Sequence, residues 1–203
     1  MAIELTSNYL SLEAFEDLLR STEPLELSAE LKEGILKCRA YIDQKITQTD
    51  QLIYGVNTGF GSLCDTAVGK EDLEALQRNL VCSHACGIGE EVPQNIVRRM
   101  LLLKVLGLSK GASGVRLETI ERLLFFYNNK IYPRVFQQGS LGASGDLAPL
   151  AHLSLPLIGE GEVYIDNQLH NSSELKKRFN IDPLVLQSKE GLALLNGTQF
   201  MSA

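Results

Sequence analysis

Ala-Ser-Gly occurs twice in this chain, at 112–114 and at 143–145, and such a tripeptide can close on itself. The Gly amide nitrogen attacks the Ala carbonyl, whose oxygen leaves as water, and the serine loses a second water, leaving a 4-methylidene-imidazol-5-one ring. That ring is an electrophile stronger than any ordinary side chain. Closure needs small residues, a backbone forced into close approach and no helix running through the tripeptide. The first copy, in Ser109-Lys110-Gly111-Ala112-Ser113-Gly114-Val115-Arg116, reads as the stop and restart between two helices. The second is bracketed by Gly139, Gly142 and Gly145, and Asp146 is placed to cap the helix that follows. That helix would aim its positive end back at the ring and stabilise negative charge developing there. The second copy is therefore the candidate.

Two other groups of residues invite chemistry. Tyr54-Gly55-Val56-Asn57-Thr58-Gly59-Phe60-Gly61 is glycine-rich, but it lacks both the Gly-x-Gly-x-x-Gly order and a Gly-Lys-Ser/Thr ending. It reads as a tight loop with glycines at positive φ, not as a phosphate cradle. Cys82, His84 and Cys86 suggest a metal site, yet positions i, i+2 and i+4 on a helix do not converge on one ion. No metal is expected. His152 reads as a satisfied core histidine.

The elements that must hold these residues are mostly helical. Ser11 can cap a helix bearing Leu12, Phe15, Leu18 and Leu19 on one face. Residues 28–48 predict a second helix that buries Leu31, Ile35 and Ile42, and residues 70–85 a third with Leu73, Leu76 and Leu80 inward. Pro93 starts a fourth running to Leu108. Residues 115–129 and 146–158 give a fifth and a sixth, with Pro149 tolerated in the first turn of the latter. A β-hairpin is expected over 161–170, turning at Asp166-Asn167. Residues 166–183 read as a polar surface excursion, and the helical pattern resumes from Lys189 to Ala203. The fold class is mainly α.

Composition sets the outer limits. Of 203 residues, 44% are hydrophobic and 22% charged, an ordinary globular balance. A net charge of −6 without a basic cluster argues against nucleic acid and anionic membrane as partners. The most apolar run, 100–108, is interrupted by Lys104 and is too short to span a bilayer. No signal peptide is read at the start, and four scattered cysteines fit reduced thiols in a cytoplasmic protein. The chain stops inside an unfinished helix, which reads as a fragment.

Four segments together carry a resemblance. Gly142-Ala143-Ser144-Gly145-Asp146-Leu147-Ala148-Pro149-Leu150-Ala151-His152-Leu153 resembles the signature of the aromatic amino acid ammonia-lyases. Residues 54–61 look like that family's tyrosine loop, Asn79-Leu80-Val81-Cys82-Ser83-His84-Ala85-Cys86-Gly87 like its substrate-selecting segment, and Leu194-Leu195-Asn196-Gly197-Thr198-Gln199 like its asparagine motif. They stand in the family's order. The resemblance implies the helical N-terminal region of an ammonia-lyase helical bundle, with residues 1–203 carrying the active-site elements and a C-terminal bundle lying beyond them.

It also implies roles. Ala143, Ser144 and Gly145 would form the ring, with no external cofactor, and Asp146 would assist closure. Tyr54 would take the substrate's β-proton. A free phenol titrates near pKa 10, so the site would have to favour phenolate. His84 and Gly61 would contact the substrate, and Asn196 would hold the ring carbonyl or the substrate. The Ser83-His84 pair looks like the histidine-lyase version, as do Gln199 and the run 147–152, although some tyrosine lyases also carry Ser-His. The implied reaction is elimination of ammonia from L-histidine to give trans-urocanate, in a homotetramer. A tyrosine lyase, an aminomutase, or an inactive homologue serving as a binding or assembly module remain alternatives.

Overall fold

The computed structural model describes residues 2–48, 51–58, 68–141 and 145–203. Strand β1 (Ile3–Leu5) pairs in parallel with β2 (Leu25–Leu27), Ile3 opposite Leu25, and helix α1 (Leu12–Arg20) connects them. Ser11 caps α1 as its position predicts, its Oγ accepting from the Ala14 amide at 3.2 Å. Helix α2 (Ala29–Gln48) starts where expected, with Ser28 Oγ accepting from the Leu31 amide. Its inward face corrects the sequence reading. Leu31 and Ile35 are buried, but the next buried position is Arg39, and Ile42 is only half-buried. Arg39 donates to the carbonyls of Gly114 at 3.0 Å and Ser188 at 2.9 Å, so the inward position is polar where loop carbonyls need a donor.

Helix α3 (Leu73–His84) follows a 3-10 turn at 70–72 and buries Leu73, Gln77, Leu80 and Val81, with Leu76 half-buried. After β3 (Ile88–Glu91), Pro93 precedes α4 (Gln94–Leu108), which is covered on nearly every side. Val97, Met100, Leu101, Leu102 and Val105 are all at most 1% exposed, which makes α4 the axis of the core. Helix α5 (Leu117–Asn128) packs on it through Ile120, Leu123 and Phe126. The first Ala-Ser-Gly copy lies in the loop between α4 and α5, with Gly114 at φ 70°.

Short strands β4 (Tyr132–Pro133) and β5 (Phe136–Gln138) follow, β5 antiparallel to β3. Helix α6 (Leu147–Ser154) continues as a 3-10 turn over 155–158. The expected hairpin is β6 (Glu162–Ile165) and β7 (Gln168–Asn171), with Asp166 and Asn167 both at positive φ in the tight turn. Strand β4 adds a third strand to it through Tyr132 and Tyr164.

The stretch 166–183 is more than a surface excursion. It contains β7 and α7 (Leu175–Phe179), and Leu175 is buried in the main core. The last stretch is two helices, α8 (Glu190–Leu195) and α9 (Gln199–Ser202), separated by Asn196-Gly197-Thr198. Gly197 at φ 148° interrupts the helix the periodicity suggests.

Candidate functional site

Gly145 is the described end of the second Ala-Ser-Gly copy. Ala143, Ser144 and Gly61 lie outside the described residues. Gly145 sits at φ 106° and forms a parallel bridge with Gly197. A Cβ at this position would collide with the Gly197 carbonyl oxygen, so both the dihedral and the close approach demand glycine. The next amide, Asp146 N–H, donates to that same carbonyl at 2.8 Å, and Ser140 Oγ donates to the Gly145 carbonyl at 3.1 Å. Helix α6 begins two residues later, at Leu147. Gly145 fits the ring that the tripeptide could form: it has no room for a side chain, its carbonyl and the amide that follows are both held, and a helix starts just beyond it.

Asp146 precedes α6 but does not cap it through its side chain. The residue three positions on is Pro149, which has no N–H to offer. The carboxylate turns instead to α9, where Oδ2 accepts from the Met201 amide at 2.9 Å. It thus serves the first turn of the other helix, and it locks α9 to the start of α6.

Asn196 ends α8, with its amide donating to the Leu192 carbonyl at 2.9 Å and its side chain exposed. Three buried polar groups hold this six-residue helix. Glu190 is fully buried and accepts from the Arg116 amide (3.0 Å), Arg116 Nε (3.0 Å), Thr119 Oγ1 (2.5 Å) and the Gln187 amide (2.8 Å). Gln77 Oε1, from α3, accepts from the Gly191 amide at 2.8 Å. Lys104 Nζ, from α4, donates to the Asn196 carbonyl at 3.0 Å. The sequence reading missed all three. Only Lys104 carried a signal, as a lone charge in an otherwise apolar run.

His84 is the last residue of α3, half-buried. Its Nδ1 lies 2.8 Å from the Leu80 carbonyl, an acceptor only, so Nδ1 carries the proton and Nε2 becomes the ring's acceptor in the neutral form. Ser83 Oγ also donates to Leu80, at 3.2 Å. The segment after His84 is tied to α6 by His152, whose Nε2 accepts from the Gly87 amide at 2.9 Å while its ring stands edge-on to Phe136. Burial, with Arg134 nearby, lowers the His152 pKa and favours the neutral acceptor. Gly139 packs directly on the Gly87 backbone. His152 is a structural bond, as its sequence context suggests.

Tyr54 occupies its own turn and is 51% exposed. The turn is set by Asn57, whose Oδ1 accepts from the Ile53 amide at 2.7 Å, and by Thr58 Oγ1, which accepts from the Gly55 amide at 3.2 Å. Gly145, Asp146 and Asn196 are therefore gathered at one main-chain junction. The His84 segment is fastened to α6 through Gly87, and Tyr54 stands on a separate loop. Among the described residues no group of three metal-ligating side chains is gathered, and no described helix is long and apolar enough to cross a membrane.

Comparison with known proteins gives the family and the fold. The family model for aromatic amino acid lyases matches residues 10–203, and the chain belongs to that family. A histidine ammonia-lyase of Geobacillus thermodenitrificans is 50% identical over 201 residues, 99% of this chain and 40% of that protein. The structure of histidine ammonia-lyase from Trypanosoma cruzi superposes with a TM-score of 0.86 at 36% identity, covering all of this chain and 38% of that one. Tyrosine aminomutase from Streptomyces globisporus gives 0.88 at 34%, again over all of this chain and 38% of its own. The chain thus spans roughly two fifths of the length of these relatives.

Proposed function

We propose that these residues are the N-terminal, active-site part of an enzyme that removes ammonia from L-histidine to give trans-urocanate. Its electrophile would be made from Ala143, Ser144 and Gly145, with no external cofactor. The observation that carries this reading is the Gly145–Gly197 bridge, which joins the end of the tripeptide to the asparagine motif. The names of the relatives support the choice of reaction and of substrate.

When formed, the ring supplies the electrophile that turns the substrate's amino group into a leaving group. The chain's own residues do the rest. Asp146, with its amide on Gly197 and its carboxylate on α9, fixes the backbone against which Gly145 closes. Tyr54, on its exposed turn, takes the β-proton of the substrate. His84 hydrogen-bonds the substrate's ring, and Gly61 contributes to its binding. Asn196 directs its amide to the ring carbonyl or the substrate. The remaining site residues come from a C-terminal bundle and from neighbouring subunits of a homotetramer in the cytoplasm.

The test is the full-length protein. Intact mass should fall short of the sequence mass by two water molecules, and histidine should be turned over in preference to tyrosine. A protein that keeps both waters and turns over neither amino acid is an inactive homologue, and the proposal fails. Preference for tyrosine, as lyase or aminomutase substrate, is the second reading, favoured by the likeness to tyrosine aminomutase.

A further inference from the structure

We infer that Lys104 is a positioning residue of this site, holding the Asn196-Gly197 corner against the electrophile segment through the Asn196 main-chain carbonyl. The inference rests on the function proposed above and extends it to a residue in the middle of the core helix.

Lys104 is 2% exposed, in a helix whose neighbouring positions are occupied by Leu101, Leu102 and Val105. An ammonium in such surroundings is costly unless it is paired. Among the described residues no carboxylate pairs with it, and its described hydrogen bond is the one to the Asn196 carbonyl. The other charge that bears on it is Lys189, just before α8, which repels it. Burial and that repulsion depress the Lys104 pKa to about 7. An apolar side chain would fill the same space without this cost. What it would lack is the donor.

The bond stands at a position where a donor matters. The Asn196 carbonyl belongs to the peptide that leads into Gly197, and Gly197 accepts from Asp146 and bridges Gly145. From Nζ the connection to Gly145 therefore runs through one peptide and one main-chain junction. Gly197, at φ 148°, has a wide range of alternative conformations open to it, so the corner needs an outside restraint. A cavity of about 250 Å³ beside the corner, lined by Lys104, Lys189, Asn196 and Gln199, leaves room for the peptide to turn once that restraint is gone.

The experiment replaces Lys104 by Met and by Arg in the full-length protein. Wild type is first weighed intact. If it keeps both waters, the proposed function fails, independently of Lys104. If it is dehydrated, Lys104→Met is expected to lower kcat by about 100-fold, the scale of an ångström-sized misplacement. KM should change little, and part of the population should retain the waters. Lys104→Arg, which keeps a donor, should recover most of the loss. Full dehydration with wild-type kcat in Lys104→Met would overturn the inference. So would a loss explained wholly by fewer folded molecules at unchanged kcat per folded molecule. Should Lys104→Met not fold, Lys104→Gln is compared with Lys104→Arg on the same readouts: wild-type kcat in the shorter Gln variant overturns the inference, and a large deficit beside an active Arg variant supports it.

Discussion

Removing the Glu190 carboxylate should loosen the helix that carries Asn196, and the size of the effect can be worked from its surroundings. The side chain is fully buried and takes four hydrogen bonds, two of them from Arg116. Bonds to a charged acceptor contribute about 1.5–3 kcal/mol each when deleted singly, but they share one carboxylate and do not add. Breaking a buried pair as a whole costs about 3–5 kcal/mol. Arg116 is not wholly stranded, because it keeps the Val185 carbonyl at 2.6 Å and Glu118 at the surface. That points to the lower part of the range, about 3–4 kcal/mol, for Glu190→Ala. For a cooperative unit of this size the corresponding fall in Tm is roughly 6–16 °C. Glu190→Gln has nearly the same shape but turns an NH2 towards donors, and should still lose about 2 kcal/mol. Thermal and denaturant unfolding of wild type and both variants measure this directly. A Glu190→Gln protein as stable as wild type, or a loss below about 1 kcal/mol for Glu190→Ala, would refute the reasoning.

Gly145→Ala should abolish dehydration of the tripeptide, seen by intact mass, because its Cβ would meet the Gly197 carbonyl at a φ that L-residues rarely adopt. His152 should make stability pH-dependent. Its folded pKa lies below the ordinary value, so its contribution is complete above the unfolded pKa near 6.5 and is lost as pH falls through the lower folded value. Melting curves from pH 8 downwards should show wild type declining relative to His152→Gln, whose acceptor does not titrate; parallel curves would count against this. Residues 1–203 expressed alone should show no lyase activity in an assay for urocanate formation, since the remaining site residues are expected from the C-terminal bundle.

Legibility in the sequence divided along the range of the interactions. Helices with a local signal were readable: Ser11 capping α1, Pro93 before α4, and Asp166-Asn167 turning the hairpin all depend on neighbours a few residues away. The strands β1, β2, β3 and β5 were not, since each is only three or four residues long and finds its partner far along the chain. Arg39 in place of Ile42 was hidden for a similar reason, because the carbonyls it serves belong to Gly114 and Ser188. At the candidate site the motif residues stood out by type and order, while their supports did not. Glu190 and Gln77 look like surface residues in a string of letters, and only their distant partners show them to be buried; Lys104 stood out in its apolar run, but its partner did not. The orientation of Asp146 was missed because its acceptor reaches Met201, 55 positions on.

The junction of Gly145, Asp146 and Gly197 is made from peptide groups, whereas Ser83 and His84 present side chains at a helix end. On the proposed function, a lineage could therefore exchange the residues assigned to the substrate while the scaffold assigned to the electrophile stayed untouched. Altered substrate choice should be reachable by few substitutions around α3's last turn, without rebuilding the chemistry. The price is that the scaffold itself tolerates little: where two glycines lie backbone to backbone, even a methyl group is an obstruction.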